Sequence, residues 1–214
     1  MKAVGYTRSL PITDPASLED IELPEPTPGP HDLRVKVHAI SVNPVDTKVR
    51  MRMAGENGTP RVLGWDVAGV VEGAGERVTR FRPGDEVFYA GSLSRPGANA
   101  EYHVVDARIV GRKPTSLSFS EAAAMPLTSL TAWELLFDRL GVTEESAGTL
   151  LIVGGAGGVG SMLIQIARKL TRLTVVATAS RKPTREWCET LGAHHVVDHT
   201  QLADALAPIG APNF

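Results

Sequence analysis

A glycine-rich turn between two apolar segments constrains the fold of this chain more than any other feature. The run Leu150–Val153 is short and β-branched, and the motif Gly155-x-Gly157-x-x-Gly160 follows it. An apolar pattern with helical spacing then begins at Met162. A strand, a glycine turn and a helix in this order predict a turn that binds the phosphates of a dinucleotide. A glycine-rich turn with a purely structural role is the alternative.

Each glycine of the motif has a physical role in this interpretation. We assign Gly155 to the tight turn, Gly157 to the close approach of a pyrophosphate, and Gly160 to the packing of helix against strand. The N-terminus of the helix supplies free N–H groups and a partial positive charge. The predicted phosphate-binding residues are therefore Gly155, Ala156, Gly157, Gly158, Val159 and Gly160.

The segment about 20 residues after the turn indicates which dinucleotide is bound. Sites for NAD carry Asp or Glu there, whereas this chain has Ser180, Arg181 and Lys182. The fork of an arginine suits the charged 2′-phosphate of NADP(H). We therefore expect NADP(H) as the cofactor, with Ser180 and Arg181 at its 2′-phosphate. The alternative is a solvated basic turn.

Composition excludes several classes of protein. The 214 residues carry a net charge of -2, which does not favour binding to nucleic acid. Cys188 is the single cysteine, so no intrachain disulfide forms, and a reducing, cytoplasmic compartment fits. The sequence has neither the apolar length of a membrane span nor a signal peptide at its N-terminus. We expect a cytoplasmic protein without nucleic-acid or membrane partners.

The pattern changes part-way along the chain. Residues 1–122 contain short apolar strands between turn signals, which predicts a barrel-like β domain. A capping-box pattern at Ser118–Glu121 then starts a helix, Pro126 breaks it, and a second helix is predicted over about 127–140. Residues 123–214 are the second predicted domain, a parallel β-α-β-α-β unit with strands at 149–154, 173–178 and 195–198 and helices at 158–170 and 184–191.

A complete doubly wound sheet has about six strands in the order 3-2-1-4-5-6. This sequence predicts the first half of such a sheet, so strand 1 becomes an edge whose unpaired N–H and C=O groups favour pairing with another chain. We expect a protein of these 214 residues alone to bind NADPH weakly, to lack reductase activity and to self-associate.

Several segments together resemble the medium-chain dehydrogenase/reductase superfamily, specifically its quinone oxidoreductase and zinc-type alcohol dehydrogenase-like branch. They are Met1–Val4, Ser41–Asp46, Gly64–Gly69, Pro83–Phe88, Ala100–Tyr102, Leu127–Glu134 and the glycine turn. The resemblance implies an α/β chain in which a GroES-like β domain precedes the first half of a Rossmann domain. It also implies a C-terminal return to the first domain, which this sequence lacks, and a homo-oligomer at full length.

The resemblance also bears on zinc. Zinc-dependent members place a Cys ligand near Asn43 and a His ligand at the position of Trp65, and this chain has neither. Asp66 and Glu72 remain, but without a softer partner they are a poor site for zinc. We expect no bound metal.

The resemblance further implies residue roles. Asn43 would donate a hydrogen bond to the substrate carbonyl. Asp46 would have an orienting or relay role, and Trp65 would line the pocket. Thr128 would meet the nicotinamide, and His199 would lie near a cofactor phosphate. The alternatives are a helix cap for Asn43, core packing for Trp65 and first-turn polarity for Thr128.

The implied activity is zinc-independent, NADPH-dependent hydride transfer to quinones or α,β-unsaturated carbonyls. An enoyl-thioester reductase or an alcohol dehydrogenase of the same fold is one alternative. The other is a non-catalytic protein that binds NADPH as a sensor or structural partner, since a fold does not fix a function.

Overall fold

Alternating apolar residues form the strands of the first unit, which extends from Met1 to Leu127. The computed structural model describes residues 1–209. The strands of this unit are β1 (Lys2–Tyr6), β2 (Glu19–Glu22), β3 (Asp32–Ser41), β4 (Arg61–Val62), β5 (Asp66–Ala74), β6 (Glu86–Ala90), β7 (Tyr102–Asp106) and β8 (Gly111–Arg112). Its helices include α1 (Pro44–Arg52) and α2 (Phe119–Ala123).

Antiparallel pairing organises these strands into two sheets. One has the order β7-β3-β5-β6-β8 and the other the order β2-β1-β4. The core of the larger sheet contains Leu33 and Val35 from β3 and Val67 and Val71 from β5, all buried. The alternation places these side chains on one face, as expected for a half-buried strand. The prediction of a β-rich first region is confirmed.

Helix boundaries after the sheet follow the sequence signals. Ser118 caps α2 through the capping box with Glu121, and α3 (Pro126–Trp133) starts at the proline that was expected to break the helix. A π-helical segment continues to Arg139, and Gly141 follows with a φ of 65°. Helix α3 continues across the division between the two units, which lies between Leu127 and Thr128. The domain boundary after residue 122 stays a prediction.

The second unit begins at Thr128 and contains the predicted β-α-β-α-β arrangement. Its elements are β9 (Ala147–Ile152), α4 (Gly158–Leu170), β10 (Arg172–Thr178), α5 (Lys182–Thr190), β11 (His195–Val197) and α6 (Leu202–Leu206). The three strands are parallel in the order β11-β10-β9. Strand β9 ends before the predicted residue 154, because Gly154 has a φ of 73°, outside the range of a strand.

Helix α4 packs its apolar face on this sheet. Leu163, Ile164 and Ala167 recur at helical spacing and are buried with Val175 from β10. The single cysteine, Cys188 on α5, is fully buried in the same cluster, where it acts as a small apolar side chain. None of the described helices combines the length and apolarity that a membrane span requires.

Candidate functional site

A groove of about 520 Å³ lies at the carboxyl ends of β9 and β10 in the second unit. In parallel sheets this edge is where ligands bind. Five residues predicted from the sequence line the groove, namely Ala156, Gly157, Ser180, Arg181 and His199. Five others were not predicted, namely Val153, Gly154, Thr178, Ala179 and Thr184.

The turn after β9 requires glycine at Gly154, and the tight-turn role assigned to Gly155 stays a prediction. Gly154 has a φ of 73°, in the left-handed region that favours glycine. Gly155 is needed for packing, since a Cβ there would lie 2.7 Å from the Cβ of Ala177 and 3.0 Å from the Sγ of Cys188. The absence of a side chain at Gly155 therefore lets the turn pack closely against β10 and α5.

Gly160 and Gly157 differ in what surrounds them. A Cβ on Gly160 would lie 2.4 Å from the carbonyl oxygen of Gly154, which supports the packing role predicted for Gly160. A Cβ on Gly157 would meet only that same oxygen, at 3.3 Å. Gly157 precedes α4, whose first N–H groups have no partners within the helix. The missing side chain leaves these donors accessible from the groove.

Thr128 lies against the glycine turn. A Cβ on Gly158 would be 2.9 Å from the Cγ2 of Thr128, so the helix that carries Thr128 packs closely on the start of α4. Val159, next in the turn, contributes to the apolar core of this unit. The structure thus brings Thr128 together with the predicted phosphate-binding residues.

The end of β10 is tied to the turn by a hydroxyl. The N–H of Gly154 donates to the Oγ1 of Thr178 at 2.9 Å, and the Thr178 side chain is buried. This contact joins two parallel strands at their carboxyl ends. In the sequence, the signal for this contact is a threonine at the last position of a strand. The β-propensity of threonine explains its presence there equally well.

Two arginines follow β10 and have different surroundings. Arg185 donates to the carbonyl of Ala179 at 3.1 Å and to that of Val196 at 2.6 Å, and so holds the segment in place. Ser180 and Arg181 are exposed beside the groove. Within residues 1–209, the Arg181 guanidinium has no hydrogen bond or ion pair. It is therefore available to an anionic ligand.

His199 lies at the same groove. Its Nδ1 is 3.6 Å from the Oδ1 of Asp198, and both side chains are exposed. The imidazole lines the groove with Arg181. Its contact with a cofactor phosphate stays a prediction.

Asn43 and Asp46 start helix α1 in the first unit. Asn43 is the N-cap and Pro44 the first helical residue, as the alternative interpretation expected. The backbone N–H of Asn43 donates to Asp46 Oδ2 at 2.8 Å, and that of Gly64 donates to Asp46 Oδ1 at 2.9 Å. Both oxygens of Asp46 are thus engaged by backbone donors, so Asp46 fixes the main chain around Asn43.

The Asn43 side chain points to Asp66, a contact that sequence reasoning missed. The Nδ2 of Asn43 donates to Asp66 Oδ2 at 2.9 Å, and the N–H of Leu127 donates to Asp66 Oδ1 at 2.8 Å. Asp66 is only 1% exposed. Burial raises the pKa of Asp66 to about 6, the two hydrogen bonds oppose this shift, and the charge of Asp46 adds to it.

Trp65 belongs to the core of the first unit. It is 3% exposed and clusters with Tyr6 and Leu63. Its indole N–H donates to the carbonyl of Ser92 at 3.1 Å. These contacts are those of a core side chain, and its contact with substrate stays a prediction.

Comparisons with known proteins fit this architecture. Residues 29–115 match the alcohol dehydrogenase GroES-like domain. A zinc-type alcohol dehydrogenase-like protein of Staphylococcus aureus is 45% identical over 205 residues, covering 94% of this chain and 61% of the relative. The 2-methylene-furan-3-one reductase of Solanum lycopersicum is 37% identical over 213 residues, covering 94% of this chain and 53% of that enzyme.

Solved structures extend the match through both units. A putative zinc-dependent alcohol dehydrogenase from Rhizobium etli is 59% identical with a TM-score of 0.92, covering 98% of this chain and 62% of that one. An NAD-dependent alcohol dehydrogenase is 32% identical with a TM-score of 0.85, covering 98% and 68%. The chain belongs to the medium-chain dehydrogenase/reductase superfamily. The quinone oxidoreductase of Escherichia coli complexed with NADPH is 27% identical with a TM-score of 0.81, covering 98% and 63%.

This superfamily member spans about 60% of the length of its curated relatives from Staphylococcus aureus. The predicted fold class, a GroES-like domain followed by the start of a Rossmann domain, is confirmed. The names of the relatives disagree about zinc, since some are called zinc-type or zinc-dependent and others are quinone oxidoreductases.

The residues around Asn43 do not fit a zinc ion. The two oxygens of Asp66 already accept hydrogen bonds, and the indole of Trp65 is a donor without a ligating lone pair. Cys188 is buried in the core of the second unit. In the part of the chain that the structure describes, no three His, Cys, Asp or Glu side chains are grouped to hold a metal.

Proposed function

We propose that this chain is part of an NADPH-dependent, zinc-independent oxidoreductase that reduces quinones or α,β-unsaturated carbonyl compounds. The observation that carries the proposal is the groove beside the glycine turn, whose described lining has Ser180 and Arg181 and no carboxylate. The comparison with a quinone oxidoreductase complexed with NADPH supports the cofactor, and the furanone reductase supports an enone as acceptor.

The residues of the groove fit the parts of NADPH. The first N–H groups of α4 would bind the pyrophosphate, which the open space at Gly157 lets approach. Ser180 and Arg181 would hold the 2′-phosphate through charge-assisted hydrogen bonds. Thr128, packed on the turn at Gly158, would meet the nicotinamide. When bound, NADPH supplies the hydride.

Asn43 offers a donor to the acceptor carbonyl. One N–H of its amide donates to Asp66 at 2.9 Å, and the other N–H has only a long contact of 3.5 Å with the carbonyl of Ser41. Asn43 is half-buried, and its second N–H would donate to the acceptor carbonyl. A carbonyl oxygen gains negative charge as hydride adds, and a preorganised donor lowers the barrier of that step.

Arg181→Ala should weaken NADPH binding selectively. Losing one charged contact with the 2′-phosphate costs about 1.5–3 kcal/mol, which is roughly tenfold to a hundredfold in affinity. NADH lacks this phosphate, so its affinity should stay unchanged. Fluorescence titration with both cofactors measures the effect, and Lys182→Ala, whose side chain lies 3.8 Å from Glu186, is the matched control. Equal losses for the two cofactors would refute the assignment.

Zinc content provides an independent prediction. Because Asp66 and Trp65 do not supply the three or four Cys, His or carboxylate ligands that zinc requires, purified protein should contain far less than stoichiometric zinc by elemental analysis. Treatment with a strong chelator should leave the turnover of the full-length protein unchanged. Stoichiometric zinc that persists through dialysis, or turnover that depends on it, would contradict the proposal.

The function itself is tested by steady-state oxidation of NADPH by the full-length protein. The panel contains quinones, enones and enoyl thioesters, and NADP⁺ with simple alcohols is assayed in the reverse direction. We expect quinones or enones to be reduced and alcohols to be poor substrates. Preferred turnover of enoyl thioesters or alcohols would indicate the alternative enzymes, and NADPH binding without turnover would indicate a sensor or structural protein.

A further inference from the structure

Asp66 connects three elements of the first unit. It is the first residue of β5, its Oδ2 accepts from the side chain of Asn43 at the start of α1, and its Oδ1 accepts from Leu127 at the start of α3. The carboxylate is almost completely buried. A buried carboxylate is costly, and these two donors only partly offset that cost.

We propose that Asp66 is a positioning residue that fixes the amide of Asn43 for hydrogen bonding to the substrate carbonyl. The inference rests on the proposed function, because it concerns the residue proposed to bind the acceptor. With one N–H of Asn43 held by Asp66, the amide plane is set and the second N–H has a defined direction. The catalytic donor is thereby preorganised.

Asp46 does not provide the same constraint. Its two oxygens accept from the backbone N–H groups of Asn43 and Gly64, so it sets the main chain and leaves the side-chain torsions of Asn43 free. Among the described residues, Asp66 makes the short contact with the Asn43 amide, whereas the contact to Ser41 is long. Asp46 therefore fixes the backbone at Asn43, and Asp66 fixes its side chain.

Protonation of Asp66 would weaken its hold on Asn43. Both groups that face its oxygens, the Asn43 amide and the Leu127 N–H, are donors, and protonation removes the negative charge that strengthens these two hydrogen bonds. Asp46 on α1 is the charged group that acts on Asp66, and it favours the protonated form. With the pKa of Asp66 raised to about 6, the amide is held by a charge-assisted hydrogen bond above this pH and by a weaker, neutral one below it.

The test compares the full-length protein with Asp66→Asn, and Glu72→Gln on the same strand is the matched control. The side-chain amide resonances of Asn43 are followed by ¹H–¹⁵N NMR through pH 6, and the pH profiles of kcat and KM are recorded. We expect the wild-type Asn43 resonances to titrate near pH 6. Asp66→Asn should abolish this titration, lower kcat about tenfold, leave the KM for NADPH unchanged and remove the acid limb of the kcat profile.

The outcomes separate this inference from the proposed function. Asn43 resonances that do not change with pH in the wild type, or an Asp66→Asn protein with the wild-type kcat profile, would overturn the role of Asp66. The wild-type titration gives this answer even where the variant does not fold. Absence of any reductase turnover would instead overturn the proposed function, and the NMR titration would still decide whether Asp66 holds Asn43.

Discussion

Asn43→Ala is expected to slow hydride transfer by about 10²–10³-fold, the usual cost of removing one preorganised donor from a developing oxyanion. The affinity for NADPH should not change, because the proposed cofactor contacts are made by the glycine turn, Thr128, Ser180, Arg181 and His199. Single-turnover mixing of the NADPH-loaded, full-length protein with an enone or quinone acceptor measures the chemical step directly.

The control for this variant is Thr47→Ala, an exposed change on the same helix. Thr47 donates to the carbonyl of Pro44 at 2.9 Å and does not contact Asp66. Circular dichroism of both variants accounts for any fraying of α1. A single-turnover rate for Asn43→Ala within about twofold of the control, which is under about 0.5 kcal/mol of barrier, would remove Asn43 from the proposed chemistry.

Two glycine substitutions should separate folding from cofactor binding. Gly160→Ala places a methyl group 2.4 Å from the carbonyl oxygen of Gly154, a backbone atom that cannot move without disturbing the turn. We expect the free energy of unfolding of the second unit to fall by about 3 kcal/mol, the upper range for overpacking. Gly157→Ala places its methyl group 3.3 Å from the same oxygen, with space around it, so stability should change by less than about 1 kcal/mol.

For cofactor binding, Gly157→Ala should have a larger direct effect than Gly160→Ala. In Gly157→Ala the folded protein keeps its turn, but the methyl group occupies the approach of the pyrophosphate, and the affinity for NADPH should fall about a hundredfold. Urea unfolding and NADPH titration of both variants measure the two effects. A stable Gly160→Ala protein together with tight NADPH binding by Gly157→Ala would show that these glycines do not have the proposed roles.

The second unit was largely predictable because its signals are local. Helix α4 has the predicted bounds, 158–170, since the glycines fix its start and the apolar period fixes its face. The role of Gly154 was not predictable from the motif, because a positive φ depends on the path of the chain between β9 and α4. The motif marks the turn, but the path of the chain determines which glycine takes the left-handed conformation.

The first unit was less predictable, because its key side-chain contact joins residues far apart in the sequence. The N-cap at Asn43 follows from a local pattern, with Pro44 next and Asp46 three residues later. The contact between Asn43 and Asp66 joins residues 23 positions apart, and it exists because β3 pairs with β5 and brings Ser41 opposite Asp66. No periodicity in the sequence reports this pairing. Trp65 likewise could be assigned to the core only from its neighbours.

The central claim, that the groove of the second unit takes a dinucleotide with a 2′-phosphate, is tested most directly by calorimetric titration with adenosine 2′,5′-bisphosphate and with 5′-AMP. These ligands differ only in the phosphate that Ser180 and Arg181 are proposed to hold, and neither requires the acceptor site. We expect the bisphosphate to bind at least about tenfold more tightly, in proportion to one charged phosphate contact. Equal affinities for the two ligands would contradict the claim.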